Sequence, residues 1–239
     1  MYILVFDTTG PVGSAAVLDT ESGQIAMKET REAMSHLRRL AALTQELLQE
    51  QNLRPADLSA VAASIGPGSY TGIRIGVSTA RAFAQGADLP CIAVPTLDMF
   101  RLYADGTRPV CAIFNARRGQ VYGAVYDQNG ADILAPGPYM LTDVLEVVQK
   151  HGLDPVFYGD GIDAYGDQLE GYTLALEEDR YQTAALAARY AQLALQDGKT
   201  CAVSELKPDY MRKTEAEQKL ADGSLARARA AKMAKFRSR

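Results

Sequence analysis

The chain has 239 residues and a formal charge of −4, with 47% hydrophobic and 23% charged residues. That length suits one large domain or two small ones with ample core, and the balance argues against a surface that binds nucleic acid all over. No apolar run reaches the roughly eighteen residues of a membrane span, and the start, Met1-Tyr2-Ile3-Leu4-Val5-Phe6-Asp7, reads as a strand rather than a signal peptide, so a cytoplasmic protein is expected. Cys91, Cys111 and Cys201 are far apart and odd in number, which argues against disulfides and zinc. His36 and His151 lack partners at metal-ligand spacing, so no metal site is expected, and no Gly-x-Ser-x-Gly elbow marks a hydrolase.

In chain order, Tyr2 to Phe6 and Ser14 to Leu18 are predicted strands around the turn Asp7-Thr8-Thr9-Gly10-Pro11-Val12-Gly13, and Ile25 to Glu29 completes an antiparallel meander. An acidic residue ending strand one before a Thr/Gly turn also opens the actin-like and sugar-kinase ATPases. Asp7, Thr8 and Thr9 are therefore candidate nucleotide contacts, although a hairpin alone explains them. Ser35 can cap a helix from about His36 to Gln51. Its apolar side chains cover roughly 160° of the wheel, more than the roughly 100° that a one-sided helix needs. The surplus, centred on Leu43 and Leu47, calls for a second helix of the same chain or for a partner protein.

Ala60 to Ile65 is a strand leading into Gly66-Pro67-Gly68-Ser69-Tyr70-Thr71-Gly72-Ile73-Arg74-Ile75-Gly76, and Ile73 to Gln85 is a helix leading out. Strand, glycine turn and helix together can cradle phosphate. The spacing matches neither standard nucleotide loop: no Lys follows Gly72, and Thr71 stands where a dinucleotide fingerprint needs its last glycine. A purely structural turn and a ligand loop both remain open. The small residues Gly76, Thr79 and Ala80, beside Phe83, would admit a close helix neighbour. Leu89 to Val94 is a strand parallel to Ala60 to Ile65, and Thr96 can cap a helix through Tyr103. These elements make an α/β domain over 1–105.

A second round follows over 106–213. Val110 to Asn115, Gln120 to Tyr126 and Ala131 to Leu134 repeat strand–turn–strand–turn–strand. A helix at Leu141 to His151, a strand at Pro155 to Tyr158 and a helix from Thr183 to Gln196 complete it. Two related halves across a cleft is the actin-like plan. The tail, 214–239, is basic and helix-prone: from Lys219 onward seven cations face Asp222 alone. It is either solvated chain or an arm for RNA phosphate.

The glycine stretch Gly66 to Gly76 closely resembles the signature of the bacterial TsaB (YeaZ) family. So do Asp7-Thr8-Thr9, the start of the first helix, Asn115-Ala116-Arg117-Arg118-Gly119-Gln120-Val121-Tyr122 and Pro208-Asp209-Tyr210-Met211-Arg212. The resemblance spans about residues 1 to 213. It implies an actin-like (ASKHA, ribonuclease H-like) fold and a role in making N6-threonylcarbamoyladenosine on tRNA. In that family a TsaD-type transferase carries the metal-binding histidines and the catalysis, and a TsaE-type ATPase joins it. The member resembled here is the non-catalytic partner, with no cofactor of its own and ATP left to the complex.

The resemblance also implies a partner face on the first domain's helix pair, here His36, Leu40, Leu43, Leu47, Ile75, Gly76, Thr79 and Phe83. The family loop is then Gly66, Pro67, Gly68, Ser69, Tyr70, Thr71, Gly72 and Arg74. A homodimer through the exposed helices is expected when the partner is absent, and Glu at Leu43 and Leu47 is expected to break the complex without unfolding the chain. Two departures stand out: Asn115 where the family has Asp, and Tyr70 where Phe is commoner. The alternative reading is an actin-like enzyme that binds or hydrolyses ATP on its own. It lacks a clear Lys or acidic pair for phosphoryl chemistry.

Overall fold

Strand β1 (Tyr2–Asp7) organises the first half, and its continuous burial follows from lying at the middle of a sheet covered on both faces. The computed structural model describes residues 1–31 and 36–211, the side chains of 36–38 excepted. Strands β2 (Gly13–Asp19) and β3 (Ile25–Thr30) extend β1 as an antiparallel meander, with Asp7 opposite Ser14. Helix α1 (His36–Glu50) leads to β4 (Leu58–Gly66), which pairs parallel to β1 with Phe6 opposite Ala63. Helix α2 (Tyr70–Ala87) then leads to β5 (Cys91–Pro95), parallel to β4. The sheet order is β3-β2-β1-β4-β5.

The second half repeats this plan. Strands β6 (Val110–Asn115), β7 (Gln120–Tyr126) and β8 (Asp132–Met140) form the meander, and helix α3 (Leu141–Lys150) leads to β9 (Val156–Tyr158). Helix α4 (Gly161–Tyr165) and the short β10 (Thr173–Leu174) follow. The order β8-β7-β6-β9-β10 reproduces the first sheet strand for strand, with the same antiparallel and parallel pairings. The expected internal repeat is therefore real in topology. Strand β8 runs well past its predicted end at Leu134, and it can include Pro136 and Pro138 because it is an edge strand.

The chain finally passes through α5 (Glu177–Arg180) into α6 (Ala184–Gln196). Helix α6, which a linear division at residue 105 assigns to the second half, packs on β1, β2, β4 and β5 of the first sheet. Met1–Asp209 accordingly forms one compact unit. A 3-10 turn (Asp98–Tyr103) joins the halves, with Phe100 edge-on to Phe114 and Tyr103 stacked on Tyr158 at 4.5 Å. The helix predicted to begin with a Thr96 cap is this 3-10 turn, and Leu97 occupies its cap position. Thr96 instead clamps the glycine loop.

Helices α1 and α2 share one face of the first sheet. Leu40, Leu47 and Leu48 join Ile73, Val77, Ala80 and Ala84 over Leu4, Phe6 and Val61 in one apolar cluster. The surplus centred on Leu43 and Leu47, expected to meet a second helix of the same chain or a partner protein, is covered within the chain. Leu43 is buried and Leu47 is only 1% exposed, while Ala41, Ala42, Gln45, Glu46 and Gln49 face outward. The apolar arc is wide because α1 sits in the angle between sheet and α2 and is covered from two directions.

A carboxylate at Leu47 would be buried without a partner, a cost of several kcal/mol. Leu47→Glu is therefore expected to unfold the protein or lower its melting temperature by more than 10 °C, about 3 kcal/mol at this size. Circular dichroism with thermal melting checks it; a native melt would mean that the α1 arc is not sealed.

Candidate functional site

The glycine stretch and the first hairpin turn form one closed knot at the end of β1. Ser69 caps α2, its Oγ accepting from the Gly72 amide at 3.2 Å, so Tyr70 to Gly72 become the first helical turn rather than loop. The Ser69 amide donates to the Thr9 carbonyl at 2.7 Å, and the Thr8 hydroxyl donates to the Gly72 carbonyl at 2.6 Å. A methyl group at Gly72 would overlap the Thr8 carbonyl, and one at Gly76 would come within 2.7 Å of Thr8 Oγ1. Two glycines one helical turn apart thus let α2 lie directly on the turn. Gly76, expected on the partner face, points inward to Thr8 instead, because the sheet side of α2 needs the missing side chain there.

The loop is also held from behind. The Gly66 amide donates to Thr96 Oγ1 at 3.1 Å, and the Thr96 amide donates to the Gly66 carbonyl at 2.8 Å. The Asp209 amide donates to the Ile65 carbonyl at 2.8 Å, and the Asp209 carbonyl occupies the space where a Gly66 side chain would project. The Pro208-Asp209 segment therefore belongs to the glycine loop in space. No local pattern marks Thr96 or Asp209 for this duty, since their partners lie far away in the chain.

Under this lid Asp7 is fully buried and Thr8 and Thr9 nearly so. The Asp7 carboxylate accepts from the Thr9 amide (2.9 Å) and hydroxyl (3.0 Å), while the Ser64 hydroxyl stands beside it without an aligned hydrogen bond. Burial pushes the Asp7 pKa up to about 6, held back by Ser64 and Thr9. The Gln182 amide covers Gly10 on the remaining side. The expected nucleotide contacts Asp7, Thr8 and Thr9 therefore present no open surface to a phosphate: the chain's own backbone fills the place.

The second half treats its equivalent turn differently. Gly159 and Gly161 press on the Ile113 carbonyl as the first-half glycines press on Thr8, and Asp160 Oδ1 accepts from the Asn115 amide at 3.1 Å. Yet Asn115, Arg117 and Arg118 stay exposed, and both arginines have positive φ, 66° and 56°. Asn115 Oδ1 accepts from the Arg117 amide (2.8 Å) and the Tyr165 hydroxyl (3.2 Å). It braces the turn.

On the outer side of α2, Ile75, Thr79 and Phe83 recur every fourth residue, half-buried, beside exposed Arg74, Ser78 and Ala82. At its start Tyr70 is 44% exposed, with the Arg74 guanidinium 5.6 Å from its ring centre. Of the residues expected on a partner face, these three keep accessible area, whereas Leu40, Leu43, Leu47 and Gly76 are buried; the His36 side chain lies outside the described residues.

Two outcomes follow from the knot. Gly72→Ala is expected to destabilise the protein by more than 2 kcal/mol through overlap with Thr8, whereas Gly86→Ala, in open space on the same helix, should stabilise it by about 0.5–1 kcal/mol; denaturant unfolding compares them. Because the Asp7 pKa is raised on folding, its contribution to stability is lost as pH climbs from about 4 through 6. Asp7→Asn is therefore expected to gain stability over the wild type by up to about 3 kcal/mol at pH 8, with the gain shrinking toward pH 4. Unfolding curves across that range test it, and a pH-independent difference would refute the assignment.

A family model described as TsaD, tRNA N6-adenosine threonylcarbamoyltransferase, matches residues 30–230. The chain is 33% identical over 227 residues to the tRNA threonylcarbamoyladenosine biosynthesis protein TsaB of Bacillus subtilis (strain 168), covering 92% of this chain and 97% of that one. It is 32% identical over 235 residues to the protein of the same name from Escherichia coli (strain K12), covering 92% and 98%. The solved structure of YeaZ from Pseudomonas aeruginosa superposes with a TM-score of 0.73 at 25% identity, over 87% of this chain and 99% of that one. With two halves of the same actin-like topology and a glycine loop closed on the first turn, the chain belongs to the TsaB (YeaZ) family.

Proposed function

We propose that this protein works in the biosynthesis of threonylcarbamoyladenosine in tRNA, as the non-catalytic partner that binds and activates a TsaD-type transferase. The single observation that carries the non-catalytic part is the sealed first turn. Asp7, Thr8 and Thr9, the residues that would meet phosphate in an actin-like ATPase, are covered by Ser69, Gly72 and Gly76 of the same chain. The family membership supports the pathway. Opening the turn for a nucleotide would require breaking the Thr8–Gly72 and Ser69–Thr9 hydrogen bonds and exposing a core edge together.

Docking is assigned to the outer strip of α2, Ile75, Thr79 and Phe83, with Tyr70 and Arg74 at one end and Ser78 and Ala82 beside it. Half-buried apolar side chains among small ones give a neighbouring helix a shallow seat, and burying Phe83 would supply the largest area. The same strip would pair two copies when the transferase is absent. A TsaE-type ATPase as a further partner, tRNA contact through the basic tail from Lys219 onward, and a cytoplasmic location complete the proposal. The tail lies outside the described residues.

The test is co-purification with a TsaD-type transferase, read together with a tRNA-modification assay. The double change Thr79→Arg with Ala82→Glu, both with side chains reaching solvent, is expected to weaken association by at least about tenfold, or 1.4 kcal/mol. The isolated protein should keep its native circular dichroism, and stimulation of tRNA modification should fall in parallel. Unchanged association would remove the α2 strip as the docking face. Calorimetric binding of ATP to the isolated protein, abolished by Asp7→Ala, would overturn the non-catalytic reading.

A further inference from the structure

Cys91 and Cys201 face each other across the edge of the first sheet. Cys91 opens β5, and Cys201 forms an isolated antiparallel bridge with it. The Cys201 amide donates to the Cys91 carbonyl at 2.8 Å, and the Cys91 amide donates to the Cys201 carbonyl at 2.9 Å. A pair that exchanges both bonds has its Cα atoms about 5.5 Å apart and its side chains on one face. That Cα spacing falls within the roughly 4.4–6.8 Å that a disulfide spans, while the Cβ atoms of a hydrogen-bonded pair start near the wide end of about 4.5–5.5 Å, so closing the bond draws the two Cβ atoms together by about 1 Å. Both residues belong to the same apolar layer: Cys91 is part of the cluster under α1 and α2, and Cys201 packs against it. Cys111 lies alone in the other half's core.

The geometry points to an oxidisable dithiol, Cys91–Cys201, that a hydroperoxide converts to a disulfide and a small dithiol restores. Cys201, the more exposed of the two, is attacked first. Its sulfur takes the terminal peroxide oxygen as the O–O bond breaks, giving a sulfenic acid, and the departing hydroxide or alkoxide leaves protonated. The Cys91 sulfur then bonds to the Cys201 sulfur, the S–O bond breaks, and the hydroxide leaves as water with the Cys91 proton. Two thiols lose two electrons, and one hydroperoxide is reduced. Burial pushes the Cys91 thiol up to about 11 and raises Cys201 as well, so both are thiols at neutral pH and the reaction should quicken with pH.

The bond would matter because of where Cys201 leads. Eight residues further on, the Asp209 backbone seats against Ile65 and Gly66 at the root of the glycine loop. Val203 and Leu206 pack into the same cluster between them. A Cys91–Cys201 bond would pin this return segment at its start and hold the support of the loop in place. Nothing in this inference depends on the partner proposed above, so it is tested on the isolated full-length chain.

The experiment treats native protein with hydrogen peroxide and maps peptides by mass. The expected result is one intramolecular link joining Cys91 to Cys201, with the loss of two hydrogens, Cys111 unmodified and full reversal by dithiothreitol. Linking should be faster at pH 9 than at pH 7 and absent in Cys201→Ser. Hydrogen exchange at the Asp209 amide should slow in the oxidised form, and the melting temperature should rise by about 5 °C. A link between two chains, sulfinic acid at Cys201 without a link, or linking only in denaturant would each overturn the proposal. Unchanged exchange at Asp209 would overturn the pinning.

Discussion

The contact between Thr8 and Gly72 is the constraint on which the rest of the first half depends. A helix can rest on a hairpin turn only where no side chain intervenes, and Gly72 and Gly76 clear that path one helical turn apart. The Thr8 hydroxyl then ties the turn to the Gly72 carbonyl. With α2 placed so low on β1 and β4, α1 can lie between α2 and the outer strands, and one apolar cluster takes in both helices. Thr96 and the Asp209 backbone hold the approach to the loop from the other side. Three distant parts of the chain therefore converge on one glycine stretch.

The two halves share a strand order and differ in the fate of the first turn. In the first half the turn is covered and its carboxylate is desolvated; in the second the equivalent turn stays exposed, with two arginines in left-handed backbone. The glycines after β9 still press on the Ile113 carbonyl, so the packing device survives while the lid does not. The asymmetry has a structural source. The first half receives α6 and the return segment from the far end of the chain, whereas among the described residues β6 and β9 carry only the short helices α4 and α5.

For a TsaB-family protein this arrangement gives a consistent picture. The actin-like frame positions α1 and α2 on one face of the first sheet, and the first turn, with Asp7, Thr8 and Thr9, is part of the core. Covering the polar turn is made tolerable by the partners its main groups meet: the Asp7 carboxylate has the Thr9 amide and hydroxyl, and the Thr8 hydroxyl has the Gly72 carbonyl, while the Ser64 hydroxyl and the Gln182 amide beside them are buried without an aligned hydrogen bond. The proposed docking strip then follows from the same placement of α2, which turns its glycines inward and leaves Ile75, Thr79 and Phe83 along its outer side.

By itself the sequence determined the order of the main elements, the repeat of the strand plan and the family. Hydrophobic period and turn residues act over a few positions, and an eleven-residue motif is read without any fold. It also marked the glycine stretch as special and left open whether glycine served a ligand or the backbone. Only the tertiary structure shows what each glycine makes room for, because that atom lies some sixty residues or more away, at Thr8, Thr9 or Asp209. The same holds for Leu47: a wheel gives the width of an apolar arc but not what covers it, and here the cover is the chain's own sheet and α2. Helix α6 joining the first sheet and Cys201 meeting Cys91 were hidden for the same reason. Local pattern specifies which face must be buried, and chain folding alone selects the neighbour that buries it.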